Sequence, residues 1–127
     1  MRVVKTKWFA RFARRERISD GTLSDAVRRA ERGLLDADLG GGIIKQRVAR
    51  PGQGRSGGHR VLITYRTGAR AVFLFGFAKS VRANVEDDEL ATAGDIARGW
   101  LTADDKALAR AIDDGLIQEV DYGEEED

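Results

Sequence analysis

Two hydrophobic periods alternate along this chain. Between Lys5 and Arg17, Trp8, Phe9 and Phe12 form an apolar stripe with arginines elsewhere, which predicts an amphipathic helix. Leu23, Ala26, Val27, Ala30 and Leu34 then recur at helical spacing; Asp20 or Thr22 is placed to cap this second helix and Gly33 to end it. The two helices predict a hairpin that turns at Ile18–Gly21. From residue 42 the period shortens. Ile43, Lys45, Arg47 and Ala49 share one face of a strand, and Val61, Ile63 and Tyr65 share one face of another, opposite Arg60, Leu62, Thr64 and Arg66. Thr67-Gly68-Ala69 reads as a tight connection into AVFLFGFAK, a run apolar on both faces, as a central strand is. Strands over 42–49, 60–66 and 71–77 predict an antiparallel meander, with a short strand near Arg2–Val4 as an extra member. The helical period returns at Leu90, Ala93, Ala97 and Leu101, with Trp100 placed to cover the sheet. Thr102–Asp105 reads as a capping-box variant, opening a fourth helix to about Asp114 that Gly115 stops. The order ααβββαα predicts an α+β fold, helices packed on a small sheet.

Length and composition narrow the picture without changing it. The 127 residues suit one domain, taken as 1–115, followed by an acidic tail over 116–127 that ends in GEEED and is expected to fray. A composition 42% hydrophobic and 34% charged belongs to a globular chain, not a disordered one. With no cysteine, disulfides, thiolate metal sites and cysteine nucleophiles are excluded. The N-terminus lacks the apolar run of a secretory signal, and no stretch reaches the ~20 apolar residues of a membrane span, so a cytoplasmic address without membrane partners is the expectation.

Charge changes the picture more. The net charge of +1 conceals two halves of opposite sign. Residues 1–82 carry 19 Lys+Arg against 6 Asp+Glu; residues 83–127 carry 3 against 15. Between Asp38 and Glu86 no carboxylate occurs, yet Lys45, Arg47, Arg50, Arg55, Arg60, Arg66, Arg70, Lys79 and Arg82 all fall there. Such asymmetry suggests a polyanionic partner. A solubilising balance by the acidic end explains less, because balance does not require a long basic stretch swept clear of acids.

Residues 51–60, PGQGRSGGHR, hold the only proline, the only histidine and four glycines. The stretch is either a slack loop or a cradle bringing backbone and guanidinium to a phosphate. It is neither a Walker loop nor a dinucleotide fingerprint, and it joins strand to strand. One histidine and no cysteine leave no visible metal set, so no metal or cofactor is expected. A Ser56–His59 nucleophile has no acid nearby and no elbow context. The chemistry that remains is one arginine and lysine support alone. RNA carries its own nucleophile, the 2′-hydroxyl, so a protein need only align it, move protons and neutralise the phosphorane-like transition state. Lys45 and Arg47, two apart, project from one strand face, while Arg60 and Lys79 sit at strand ends. Singly these are ordinary solvated cations; as a set they point to a site.

KQRVARPGQGRSGGHRVLITYR followed by FLFGFAKSVRANVEDDEL resembles the RelE/HigB-like toxins of type II toxin–antitoxin systems, in the subgroup with a GxGRSGGxR loop and a GFxKxxxxN segment. The resemblance spans roughly Lys5 to Leu101. It implies a compact microbial-ribonuclease-type fold with two N-terminal helices, a twisted antiparallel sheet and C-terminal helices. It also implies metal-independent cleavage of mRNA on the ribosome. The implied partners are the ribosome, mRNA and a cognate antitoxin, often a helix-turn-helix protein encoded alongside. By position, Arg60 matches a phosphate-stabilising residue, Lys45 or Lys79 the proton-transfer residue, and Arg47 and Arg55 the residues holding RNA or ribosome. Arg50, His59 and Arg82 join that binding set, His59 either stacking or packing or acting as acid/base. Gly54, Gly57 and Gly58 shape the loop, and Asn84 is either a helix cap or catalytic. Members of the family often place a tyrosine or aspartate late in the chain beside the scissile phosphate; the only late tyrosine here, Tyr122, falls in the expected tail. A gyrase poison of the same fold, ParE-like, and a non-catalytic nucleic-acid-binding module are the alternatives; the Lys45, Arg47 and Arg60 pattern favours the nuclease.

Overall fold

The computed structural model describes residues 1–49, 58–82 and 84–123. In chain order these form β1 (Arg2–Thr6), α1 (Lys7–Glu16), α2 (Asp20–Glu31), β2 (Ala37–Gly40), β3 (Ile43–Val48), β4 (His59–Arg66), β5 (Arg70–Ala78), α3 (Asp87–Thr102), α4 (Asp105–Asp113) and β6 (Ile117–Glu119). The strands make one sheet in the order β2-β3-β4-β5-β1-β6. The predicted meander is its centre. The sheet is mixed, however, and not wholly antiparallel: β1 lies parallel to β5, with Val4 beside Val72. The first strand of the chain enters the slot between β5 and β6, and β6 closes the edge by pairing antiparallel with it.

Helices cover both faces. On one side Phe9, Phe12, Leu23 and Val27 of α1 and α2 pack on Val61, Ile63 and Phe73. On the other, Ala93, Ala97 and Leu108 of α3 and α4 pack on Val4, Ile43, Leu62 and Val72. The strict alternation of β4 divides its residues between these two cores, which is why both of its faces read as apolar. Burying rings such as Phe9 and Phe73 completely contributes roughly 2–3 kcal/mol each. Gly76 is required by this packing: a Cβ there would stand 2.5 Å from the Phe12 ring.

Local signals decide the boundaries, and several differ from expectation. Residues 5 and 6 belong to β1, since Thr6 is extended and its hydroxyl caps α1 by accepting the Phe9 N–H at 3.2 Å. Ser19, not Asp20 or Thr22, caps α2, accepting from the Thr22 N–H; Asp20 instead binds Lys5 at 3.0 Å. Thr102 ends α3 and does not open α4, whose cap is Asp104. The capping box lies at Glu86 and Glu89, at the start of α3. Gly33 and Gly115 sit just past α2 and α4 with φ of +80° and +74°, as expected of helix stops. The largest correction concerns residues 116–123. Expected as part of an acidic tail, they fold: Ile117–Glu119 form β6, and Val120 and Tyr122 pack on the α1/α2 core. Three alternating apolar residues among acids give too weak a strand signal to read without the neighbouring β1.

Candidate anion-binding face

β3 and β4 pair so that Arg47 stands directly opposite Arg60, and Lys45 opposite Leu62. Alternation places Lys45, Arg47 and Arg60 on the α3/α4 side of the sheet, continuous with Ile43 and Leu62. Opposed residues on one face have Cβ atoms ~5 Å apart, so register alone brings two guanidinium stems together. Their surroundings differ. Arg60 is 6% exposed, whereas half of the Arg47 side chain meets solvent. Burial lowers the Arg60 pKa, the Arg47 charge lowers it further, and Asp36 partly offsets both. Arginine stays protonated at neutral pH regardless, so these effects amount to a held cation that an incoming anion would stabilise.

Asp36 was not anticipated, because it precedes the acid-free stretch. Its carboxylate accepts the Arg47 backbone N–H and lies 3.9 Å from Arg29 and 4.0 Å from Arg47. Buried Gln46 fixes it there: the amide oxygen accepts the Asp36 N–H at 2.9 Å, while the amide nitrogen donates to Ala26 and Leu34 carbonyls at 3.0 and 3.1 Å. A signal did exist. Gly40, Gly41 and Gly42 all have positive φ, the mark of a tight hairpin, and folding ADLGGGIIK about them sets residue 36 near residues 46 and 47.

Lys45 reaches Asn84, with Nζ 3.4 Å from Oδ1. Asn84 is not the helix cap: Glu86 is, and Asn84 accepts from the Val85 N–H and from Lys45. Arg82 also differs from expectation. Both its terminal nitrogens donate to Glu89, at 2.5 and 2.8 Å, and its guanidinium lies over Phe77 and Phe75 at 5.0 and 5.4 Å. This pairing raises the Arg82 pKa and lowers that of Glu89. Expected as an RNA-binding cation, Arg82 is a neutralised wall beside the strand that carries Phe77, the partner of Arg60. Lys79 is exposed just beyond β5, and its backbone N–H donates to the Gly58 carbonyl at 3.1 Å. That bond draws the end of β5 to the start of β4.

His59 leaves the RNA-binding set. It is fully buried on the opposite face from Arg60, its ring edge-on to Phe12 and its Nε2 2.9 Å from Glu16. Arg70, from the same acid-free stretch, is structural: it donates to the Trp100 and Ala103 carbonyls at 2.7 and 2.6 Å, closing the C-terminal end of α3, and binds Asp105 at 3.1 Å. Tyr122 packs on the α1/α2 core beneath Arg28, across the sheet from Lys45. Arg50, Gly54, Arg55 and Gly57 lie outside the described residues. Among the described residues no three His, Asp or Glu side chains gather into a metal-holding group, and no helix is long and apolar enough to cross a membrane.

A sheet face carrying Lys45, Arg47 and Arg60, with helices behind and beside it, defines an α+β protein built to hold an anion. The chain belongs to the RelE toxin family: residues 1–120 match the family described as the RelE toxin of the RelE/RelB toxin–antitoxin system. Membership implies a cognate antitoxin partner. No curated protein matches the sequence.

Proposed function

We propose that this toxin is a ribosome-dependent, metal-independent endoribonuclease that cleaves mRNA in the cytoplasm and so arrests translation. The observation that carries the reading is the Arg47–Arg60 pair, two cations forced together by strand register, one of them buried. Arg60 is held where charge develops on a phosphorane-like transition state, without reorganisation at the moment of reaction. Arg47, half exposed, holds the backbone phosphate. Lys45, two residues along the same strand face and oriented by Asn84, transfers a proton between the 2′-hydroxyl and the leaving oxygen. Lys79, at the adjoining strand end, is the alternative proton carrier.

The test uses purified protein, ribosomes programmed with a labelled mRNA, and EDTA at a level ribosomes tolerate. Wild type is expected to cut the message and Arg60→Ala to leave it whole. Intact mRNA with accumulating gyrase–DNA cleavage complexes would transfer the protein to the ParE-like class. Intact mRNA with tight, salt-sensitive binding would leave a non-catalytic binding module.

A further inference from the structure

A second site lies away from the basic face. Between the first turn of α1 and the first half of α3 runs a groove of about 330 Å³, floored by Phe75 and Ala93 and walled by Trp8 and Ile96. Trp8 stacks on Phe75 at 4.5 Å, yet it remains 44% exposed, and Ile96 is 43% exposed. Two large apolar side chains thus face solvent across one depression, in a protein that buries its other tryptophan-side packing against the sheet. Asp88 and Glu89 line the groove's rim, with Asp87 in the same helical turn and Glu86 at the cap. No lysine or arginine lines it.

We propose that this groove receives the cognate antitoxin, as an amphipathic segment with apolar anchors flanked by lysine or arginine. Charge selects the class of occupant. Carboxylates on the rim repel RNA and the ribosomal backbone, so the groove stays clear of the polyanion that the basic face attracts. A cationic flank on the occupant complements Asp88 and adds to the N-terminal acids of α3. Length selects the form: Glu89 to Ile96 is two turns of α3, about 10 Å, which matches anchors spaced at i and i+4 or i+7 on a docked helix. The exposed tryptophan supplies the aromatic contact that concentrates binding energy in protein interfaces. The family supplies the partner, and the groove supplies its chemistry and place. The inference does not rest on the nuclease reading.

The test measures binding of the purified cognate antitoxin to the full chain by calorimetry, with no ribosome present. Ile96→Glu, on an exposed helix position, is expected to weaken binding ~30-fold or more. Asp88→Lys is expected to weaken it about fivefold and to flatten or reverse its salt dependence. Circular dichroism and melting of both variants should match the parent. In a Trp100→Phe background, which leaves Trp8 as the only tryptophan, antitoxin should shift the emission to the blue. Parental affinity in Ile96→Glu, or Trp8 emission unmoved at saturation, overturns the proposal. Loss of mRNA cleavage by the wild-type protein would instead overturn the nuclease reading and leave these binding measurements standing.

Discussion

His59 and Arg60 are adjacent in the chain and opposite in fate. His59 turns toward α1, where Phe12 packs its ring and Glu16 meets its nitrogen. Arg60 turns toward the other face, where the opposed residue across β3 is another arginine. On the α1/α2 side each buried polar group finds a helix carboxylate or carbonyl: His59 with Glu16, Tyr65 with Glu31, Gln46 with Ala26. On the α3 side the strand cations at the β3–β4 pair are set beside one another. Complementary pairing consolidates a fold, whereas like charges held together store binding capacity for a ligand. One strand carries both, and its alternation keeps them apart.

The sharpest way to break this comparison is Arg60→Ala. Cleavage on the ribosome should fall by ~10²–10³, the scale of losing one preorganised charge-stabilising donor. Denaturant unfolding should change little, because a repelled, buried cation departs with the side chain. A large stability loss with cleavage retained would reverse the roles assigned to the two faces. Lys45→Met should lower the rate by about 10²-fold, the range for removing a proton-transfer group, and flatten the pH–rate profile. An unchanged profile would pass that role to Lys79.

His59→Ala tests the other face. It should destabilise the protein by ~2–4 kcal/mol in urea unfolding, through the lost ring contacts and the orphaned Glu16, while cleavage per folded molecule persists. Gly76→Ala should cost about 1–3 kcal/mol, since the Phe12 ring must move to admit the new methyl.

The smallest effect is alkaline. Burial, then the hydrogen bond to Glu31, raise the Tyr65 pKa to about 12 from 10.0. The folded state therefore holds this proton more tightly than the unfolded chain does. The associated stability is complete below pH 10 and is lost as pH rises toward 12. Tyr65→Phe should remove that part of the alkaline slope, read as unfolding free energy between those two values; an unaltered slope would detach Tyr65 from it.

Much of this was legible in the chain because it rests on local physics. Periodicity located four helices and the three central strands, and alternation along RVLITYR placed Val61, Ile63 and Tyr65 against one core and Arg60 with Leu62 on the other face. What escaped depends on partners remote in sequence. β2 and β6 are short edge strands with polar residues, and they form because β3 and β1 offer unpaired backbone. Arg82 and Lys45 look alike in sequence, but Glu89 holds one and Asn84 meets the other.

Sequence by itself determined the alternation of charge and apolarity, and with it the co-facial Lys45, Arg47 and Arg60, because strand parity is a property of consecutive residues. It also determined the absence of acids between Asp38 and Glu86. Tertiary structure decided which cations that absence leaves available. Folding returns Asp36, Glu16, Glu89 and Asp105 to Arg47, His59, Arg82 and Arg70 from outside the stretch, since carboxylates on neighbouring elements can reach what no carboxylate in the strand itself does. The strand register then sets Arg47 against Arg60, and long-range pairing alone fixes a register.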